Sequence, residues 1–230
     1  MLLDSENHVY RLNDTTYTSV TTLVHLCFEP FDADKVLAKM KITPQSQYYG
    51  MSKEEIKQVW KKSAEEAQQQ GTRMHSVIER YYKKEFIVEE EYQLPEIKQF
   101  MVFESSHSLV PFQVEWRVYN TDVQLAGTID FAALNSDGTL DLYDWKRTKQ
   151  INTVNTYNKY SQTIGLPDTN YWHYTVQLNL YKYLIEKNYD KKVNHMYLVS
   201  FHPTKSSFEK YEVTDIQAQI PTILEQLKLK

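Results

Sequence analysis

The chain is 230 residues long with 41% hydrophobic and 24% charged residues, a composition that suits a globular protein with a sizeable core and excludes wholesale disorder. Its formal net charge of −4 argues against a globally basic nucleic-acid binder, so a polyanion would have to meet a local patch or bound cations. Cys27 is the single cysteine, which excludes an intramolecular disulfide and any four-cysteine zinc or iron–sulfur site and makes a reducing compartment the expectation.

No apolar run approaches the roughly 20 residues that span a bilayer, and Met1 to Tyr10 lacks the basic start and apolar stretch of a secretory signal. An intracellular protein without membrane association is expected. His8 to Leu12 and Thr16 to Ser19 flank Asn13-Asp14 as a small β-hairpin, Thr21 to Cys27 turns into a short helix, and Asp32 to Met40 makes another. Ser52-Lys53-Glu54-Glu55 is a capping-box start for a longer helix through Gln70. Gly71-Thr72 is expected to interrupt it before a second helix from Arg73 to Lys84. Pro95 to Ser105 is helical in pattern.

The period then drops to two. Phe112 to Tyr119, Val123 to Leu134 and Thr139 to Lys146 read as a three-stranded meander with a turn at Asn135-Ser136-Asp137-Gly138. Arg147 to Thr169 is a polar connection longer than compact domains use without a functional reason. Asn170 to Asn188 is a helix, Val193 to His202 and Phe208 to Val213 are strands, and Thr214-Asp215-Ile216-Gln217 caps a final helix kinked near Pro221. Helices, three strands, a helix, two strands and a helix make an α/β arrangement with a mixed sheet. No internal repeat or low-complexity tract interrupts it.

The chemistry concentrates on the second hairpin. If its turn centres on Asp137, Leu134 faces Leu140 and Asp130 faces Asp144 directly, with Cβ atoms about 5 Å apart. Lys146 follows on the same face, because strand side chains repeat every two residues. That face also carries Ala132, Leu134, Leu140 and Leu142, so two carboxylates stand at the end of an apolar surface and need compensation. Mg²⁺ or Mn²⁺ would supply it, and so would a structural ion pair with Lys146. With a metal present, the Lys146 ammonium could polarise an attacking water or neutralise charge on a phosphoryl transition state.

Three further constellations have two readings each. His75 and Glu79 are four apart on one helical face beside Met74, Ile78 and Tyr82: a surface pair, or an imidazole ligand beside the carboxylates. Gln177 and Tyr181 are also four apart: aromatic core with Tyr174, Leu178 and Leu184, or an amide and a phenol that reach a phosphate or orient the lysine. Glu115 lies on the strand next to that of Asp130, where a plain cross-strand ion pair is the expected role. Between Trp145 and Pro167 the cations Lys146, Arg147, Lys149 and Lys159 stand among Thr148, other polar residues and the rings of Tyr157 and Tyr160, without an acidic residue. Neither a Gly-x-Ser-x-Gly string nor a phosphate-binding Gly-Lys-Ser/Thr is present.

In order, GTRMHSVIE, AGTID, DLYDWK and QLNLY resemble the RecB-like branch of the PD-(D/E)XK nuclease superfamily, over about Gly71 to Tyr181. NYWHYTVQLNLYKYLIEKNY followed by HMYLVSFHP is also similar to mitochondrial genome-maintenance exonucleases and to members from large DNA viruses and phages. The resemblance implies a restriction-endonuclease-like core with a central mixed β-sheet flanked by helices, in a single nuclease domain over 1–230. Residues 1–70 would be N-terminal hairpin and helical additions, and 71–230 the catalytic core. It further implies that Asp130, Asp144 and His75 ligate a catalytic Mg²⁺ or Mn²⁺, with the Trp145 carbonyl as a further ligand and Lys146 as the catalytic lysine. Glu79, Gln177 and Tyr181 would support the site or contact DNA. The first acidic motif reads Ile129-Asp130 rather than Pro-Asp, and the cysteines that hold an iron–sulfur cluster in some relatives are missing, so no such cluster is expected.

The expected activity is metal-dependent hydrolysis of DNA that leaves a 5′-phosphate, by an exonuclease acting on ends or single strands in replication, recombination or repair. Glu115, Arg147, Thr148 and Lys149 would support the site or guide the strand. A structure-specific endonuclease, a binding protein with a non-cleaving nuclease fold, and a hydrolase of small phosphodiesters are the rivals.

Overall fold

The computed structural model describes residues 2–4, 9–155 and 157–229. β1 (Leu2–Asp4), β2 (Val9–Leu12) and β3 (Thr15–Ser19) pair antiparallel in sequence order. His8, at the start of the predicted hairpin, lies outside the described residues. Asn13 makes the β2–β3 turn at φ +53, a conformation asparagine tolerates better than most residues. Ser19 ends β3 and caps α1 (Val20–Cys27), its hydroxyl accepting from the Thr22 N–H at 2.9 Å. Asp32 caps α2 (Ala33–Lys39) in the same way through the Lys35 N–H.

The Ser52 capping box starts α3 (Lys53–Lys83), which corrects the expected interruption: the helix passes through Gly71-Thr72 and runs for 31 residues. An interior glycine costs a helix only about 1 kcal/mol relative to alanine, and long helix-forming flanks on both sides absorb that. The stop comes instead at Lys84, in the left-handed region at φ +57. A short α4 (Glu89–Tyr92), unanticipated from the sequence, precedes α5 (Pro95–His107), whose proline stands in the first turn, where its missing N–H leaves no bond unmade.

β4 (Pro111–Asn120), β5 (Leu125–Leu134) and β6 (Leu140–Arg147) form the meander, with Leu134 facing Leu140 across the predicted turn. Gly138 closes that turn at φ +85, donating its N–H to the Asn135 carbonyl at 3.0 Å. α6 (Asn170–Asn188) then crosses to β7 (Val193–Phe201), which lies parallel to β6, and β8 (Glu209–Glu212) returns antiparallel. α7 (Ile220–Glu225) lies between two short 3₁₀ segments; Pro221 sits in its first turn and produces no kink within a longer helix, because the final helix is only starting there.

The sheet order is β1-β2-β3-β5-β6-β7-β8, with β4 on the remaining side of β5. The β3–β5 and β6–β7 pairs are parallel and the others antiparallel, so the central sheet is mixed and flanked by helices. Burial divides into two layers. Leu23 and Val24 of α1, Leu178 and Leu184 of α6 and Ile223 of α7 pack on Leu125, Ala132, Leu140 and Leu142. On the other side Met74, Val77 and Ile78 of α3 and Phe100 and Phe103 of α5 pack on Phe131, Tyr143, Trp145 and Phe201. No helix among the described residues is long and apolar enough to cross a membrane.

Candidate active site

β5 and β6 part where the carboxylates begin. Their pairing runs from Leu134/Leu140 to Phe131/Tyr143 and stops there. The register would put Asp130 opposite Asp144, but these residues do not continue the ladder, which corrects the expectation of a directly facing pair. Instead the Trp145 N–H donates to Asp130 Oδ2 at 2.8 Å, so a side chain takes the bond that a backbone carbonyl would have taken. On the same edge β3 pairs with β5 only at Leu125 and Ala126, so Gly127 to Asp130 lies in a fork between β3 and β6.

The fork coincides with a break in the strand alternation. Ile129 packs in the first layer and Phe131 in the second; across on β4, Trp116 leans on the first and Val114 on the second. Glu115 sits at the break with φ +49, a conformation uncommon for any residue with a side chain and out of place in a strand. The distortion carries its carboxylate toward Asp130. Ligand-capable atoms of His75, Glu115 and Asp130 all lie within 4.8 Å of one another. No ion pair of Glu115 is formed among the described residues, so the expected cross-strand pair is replaced by this group.

The rotation of α3 delivers His75. Met74, Val77 and Ile78 are buried in the second layer, which leaves His75 at the rim with Nδ1 3.6 Å from Asp130 Oδ2. Burial alone would lower the imidazole, but the Asp130 carboxylate outweighs it and the net shift is upward. Burial works against the Asp130 charge too; His75, Lys146 and the Trp145 N–H reverse that and hold it below the usual range. Glu115 is pushed up to about 7 by burial and by the Asp130 charge.

Asp144 is turned to its own strand neighbour. Lys146 Nζ donates to Asp144 Oδ1 at 3.0 Å and lies 2.8 Å from Oδ2, outside hydrogen-bonding geometry, so Oδ2 is buried with no donor. Asp144 is 3% exposed, and burial raises its pKa to about 6 against the pull of Lys146. Lys146 is held well above its ordinary value: burial opposes its charge, and the Asp144 and Asp130 carboxylates more than compensate. The ammonium also lies over the ring of Tyr174, whose centroid is 4.5 Å from Nζ.

α6 closes the fork from the first layer. Tyr181 is buried there, with its phenol accepting from Gln177 Nε2 at 3.2 Å and kept protonated by burial. Gly127 makes the room: a Cβ at that position would come within 2.5 Å of Tyr181 Cε1 and 3.1 Å of Val20 Cγ2. Tyr181 therefore belongs to the core, as one of its two readings had it, and it also engages Gln177.

The other candidates are dispersed. Glu79 pairs with Lys83 along α3. Arg147 Nε donates to the buried Glu96 of α5 at 2.8 Å, so its guanidinium is engaged inside the protein. The Thr148 carbonyl accepts from Ser200, Lys149 is exposed, and the Trp145 ring is buried in the second layer. The Arg147–Thr169 connection is pinned to α6: Asn170 accepts from the Asn152 N–H and donates to the Gln150 carbonyl, and the Trp172 indole donates to Thr153. Tyr157 nevertheless exposes 84% of its surface and Tyr160 47%. Sequence reasoning placed Tyr174 in the aromatic core and passed over Glu96; the i, i+3, i+7 stripe of Tyr174, Gln177 and Tyr181 could have flagged the first.

The family model described as the PD-(D/E)XK nuclease superfamily matches residues 9–229. No curated protein matches the chain. Among solved structures, a crystal structure from Eubacterium rectale bearing the name "Putative exonuclease" is 13% identical, with a TM-score of 0.50 over 99% of this chain and 87% of that chain, a likeness of fold. The crystal structure of SSO0001 is 16% identical over 97% of this chain and 80% of that one, and its TM-score of 0.41 is too low to add to this.

Proposed function

Because the chain belongs to the PD-(D/E)XK nuclease superfamily, we propose that it is a metal-dependent deoxyribonuclease of the RecB-like branch, built as a single nuclease domain, that removes nucleotides from DNA ends or single strands. The observation that carries this is the fork: it gathers Asp130, Asp144, Lys146, His75 and Glu115 at one place.

The residues fit a divalent cation. Two carboxylates and an imidazole with ligand atoms within 4.8 Å form a hard donor set, and the buried Asp144 Oδ2 lacks a donor beside them. His75, Glu115 and Asp130 would hold Mg²⁺ or Mn²⁺, with Asp144 and the Trp145 carbonyl completing the shell. Such an ion supplies Lewis acidity at a phosphoryl oxygen and lowers the pKa of a water. Cys27 is the only cysteine, so no iron–sulfur cluster enters the proposal.

The chain's own residues do the rest. Lys146, ionised and fixed by Asp144, places a positive charge where negative charge grows on the phosphate and the attacking oxygen. The Lys146 side chain is only 19% exposed and that of its partner Asp144 4%, and this partial burial lowers the local dielectric and strengthens that interaction. The connection leaving Lys146 presents the exposed rings of Tyr157 and Tyr160 and the cation of Lys149, which suits a strand with unstacked bases more than a closed duplex. That favours ends or single strands as substrate, a task found in replication, recombination and repair.

DNA labelled at either end, single- or double-stranded, tests this with Mg²⁺, Mn²⁺ or chelator. Degradation should require metal, start at ends, and fall by about 10²–10³ in Asp144→Ala and Lys146→Ala, as loss of transition-state charge stabilisation gives. Degradation that survives both substitutions would sink the site assignment. Metal-independent binding of DNA without any cutting would favour a non-cleaving binding protein.

A further inference from the structure

We propose that Tyr174 is the positioning residue for Lys146, its ring rather than its hydroxyl fixing where the ammonium sits; the inference rests on the catalytic part given above to Lys146. A lysine side chain has four rotatable bonds, and one carboxylate partner constrains distance better than direction. Lys146 Nζ has two neighbours of its own: Asp144, at 3.0 and 2.8 Å from its two oxygens, and the face of the Tyr174 ring, whose centroid is 4.5 Å away. A cation that touches both an anion and an aromatic face is held by two separate elements, and the ring also removes water that would otherwise solvate it.

Both carriers of this contact are anchored. Lys146 lies on β6, paired with Ser200 of β7, and its neighbour Arg147 is tied to the buried Glu96. Tyr174 lies in the second turn of α6, whose first turn is fastened by His173, hydrogen-bonded to Asp168 at 2.7 Å and stacked on Phe28. Two turns on, Tyr181 fills the notch left by Gly127. The ring is therefore set over the lysine by fixed elements. Among the described residues the Tyr174 hydroxyl forms no hydrogen bond, while the hydroxyl of Tyr181 on the same helix is bonded to Gln177. The contact that the fold provides at Tyr174 is the ring.

The test is a double-mutant cycle read by single-turnover cleavage of end-labelled DNA with Mn²⁺, with DNA affinity measured alongside. Tyr174→Phe should stay within about threefold of the parent rate, and Tyr174→Leu should lose roughly tenfold in the rate of cleavage with little change in affinity, as loss of a partly desolvated cation–ring contact gives. In a Lys146→Met background Tyr174→Leu should cause no further loss. The proposal is overturned if Tyr174→Phe is as slow as Tyr174→Leu, if Tyr174→Leu cleaves like the parent, or if its effect persists undiminished without the lysine. A second readout needs no cleavage: the ammonium resonance of Lys146, identified by its disappearance in Lys146→Met, should shift in Tyr174→Leu through loss of the ring current and stay in place in Tyr174→Phe. An unmoved resonance in both overturns the positioning role. If the resonance shifts as expected in a protein that cuts no DNA, the contact stands and the nuclease reading falls.

Discussion

Glu115 occupies a backbone conformation that glycine takes freely and glutamate does not, φ +49 in the middle of a strand. Glycine normally weakens a strand relative to alanine. Here the order should reverse, with Glu115→Gly more stable than Glu115→Ala by about 0.5–1 kcal/mol in urea unfolding, because only alanine keeps the strain. Both should bind Mn²⁺ more weakly than the parent. The charge states give a second prediction. His75 is shifted upward, Glu115 lies at about 7 and Asp144 at about 6, so the metal-free site holds protons near neutrality. Ligands must shed those protons, so Mn²⁺ affinity should rise between about pH 6 and about pH 8 and binding should release protons, seen in calorimetry as an enthalpy that depends on the buffer. A flat affinity over that range contradicts the donor set. The sign also holds for stability: upward shifts in His75 and Glu115 mean that the metal-free protein loses their contribution as pH rises through these values. At this scale the hairpin register brought Asp130, Asp144 and Lys146 to one end of the sheet, but it did not show the parting of the strands that turns Asp130 to the Trp145 N–H. The part taken by Glu115 was not legible, since it depends on a positive φ that no neighbouring glycine or turn residue announces.

At the scale of elements, α6 was legible to the residue, because a long run of aromatic and aliphatic side chains at helical spacing is bounded by Thr169 and by the Tyr189-Asp190 turn. α3 was not, because a glycine was read as a break where the flanks carry the helix through. No atom outside the helix lies within 4 Å of a Cβ built at Gly71. Gly71→Ala should therefore stabilise the protein by about 0.5–1 kcal/mol, measured as a rise in the urea midpoint at unchanged slope. Gly127 is the opposite case. Gly127→Ala pushes a methyl into the Tyr181 ring and should destabilise by about 1–3 kcal/mol, the range for overpacking, and slow cleavage by shifting α6 against the fork. Pro221 illustrates a further limit: a proline near a helical pattern marks a boundary, but whether it starts the helix or bends it depends on how the preceding chain packs.

On the scale of the whole molecule, the site lies where two layers meet: α3 reaches the fork from one, α6 from the other, and the sheet opens between them. Alternating hydrophobicity and turn residues revealed the mixed character of the sheet and every described strand except β1, but neither the strand order nor the parting of β5 and β6 at Phe131 and Tyr143, a tertiary event with no local signal. Net charge is −4, unfavourable for a protein proposed to bind DNA. In the segment that leaves the site, Lys146, Arg147 and Lys159 all face acidic partners, so among the described residues there Lys149 is the cation left to meet a phosphate. Single-strand affinity should therefore depend weakly on salt, with a slope on the order of one to three phosphates at about 0.7 each, and Tyr157→Ser with Tyr160→Ser should weaken it more than Lys149→Ser. A steep slope would place the strand elsewhere.

The central claim is that the fork is a metal-dependent cutting site, and the most direct measurement is Mn²⁺ titration of the parent and of Asp130→Asn, followed by cleavage of a 5′-labelled single strand in the same samples. Parent protein should bind Mn²⁺ and release nucleotides with the same metal dependence, and Asp130→Asn should lose both together while its thermal unfolding stays cooperative. Cleavage retained by Asp130→Asn, or tight Mn²⁺ binding that survives the substitution, would contradict it.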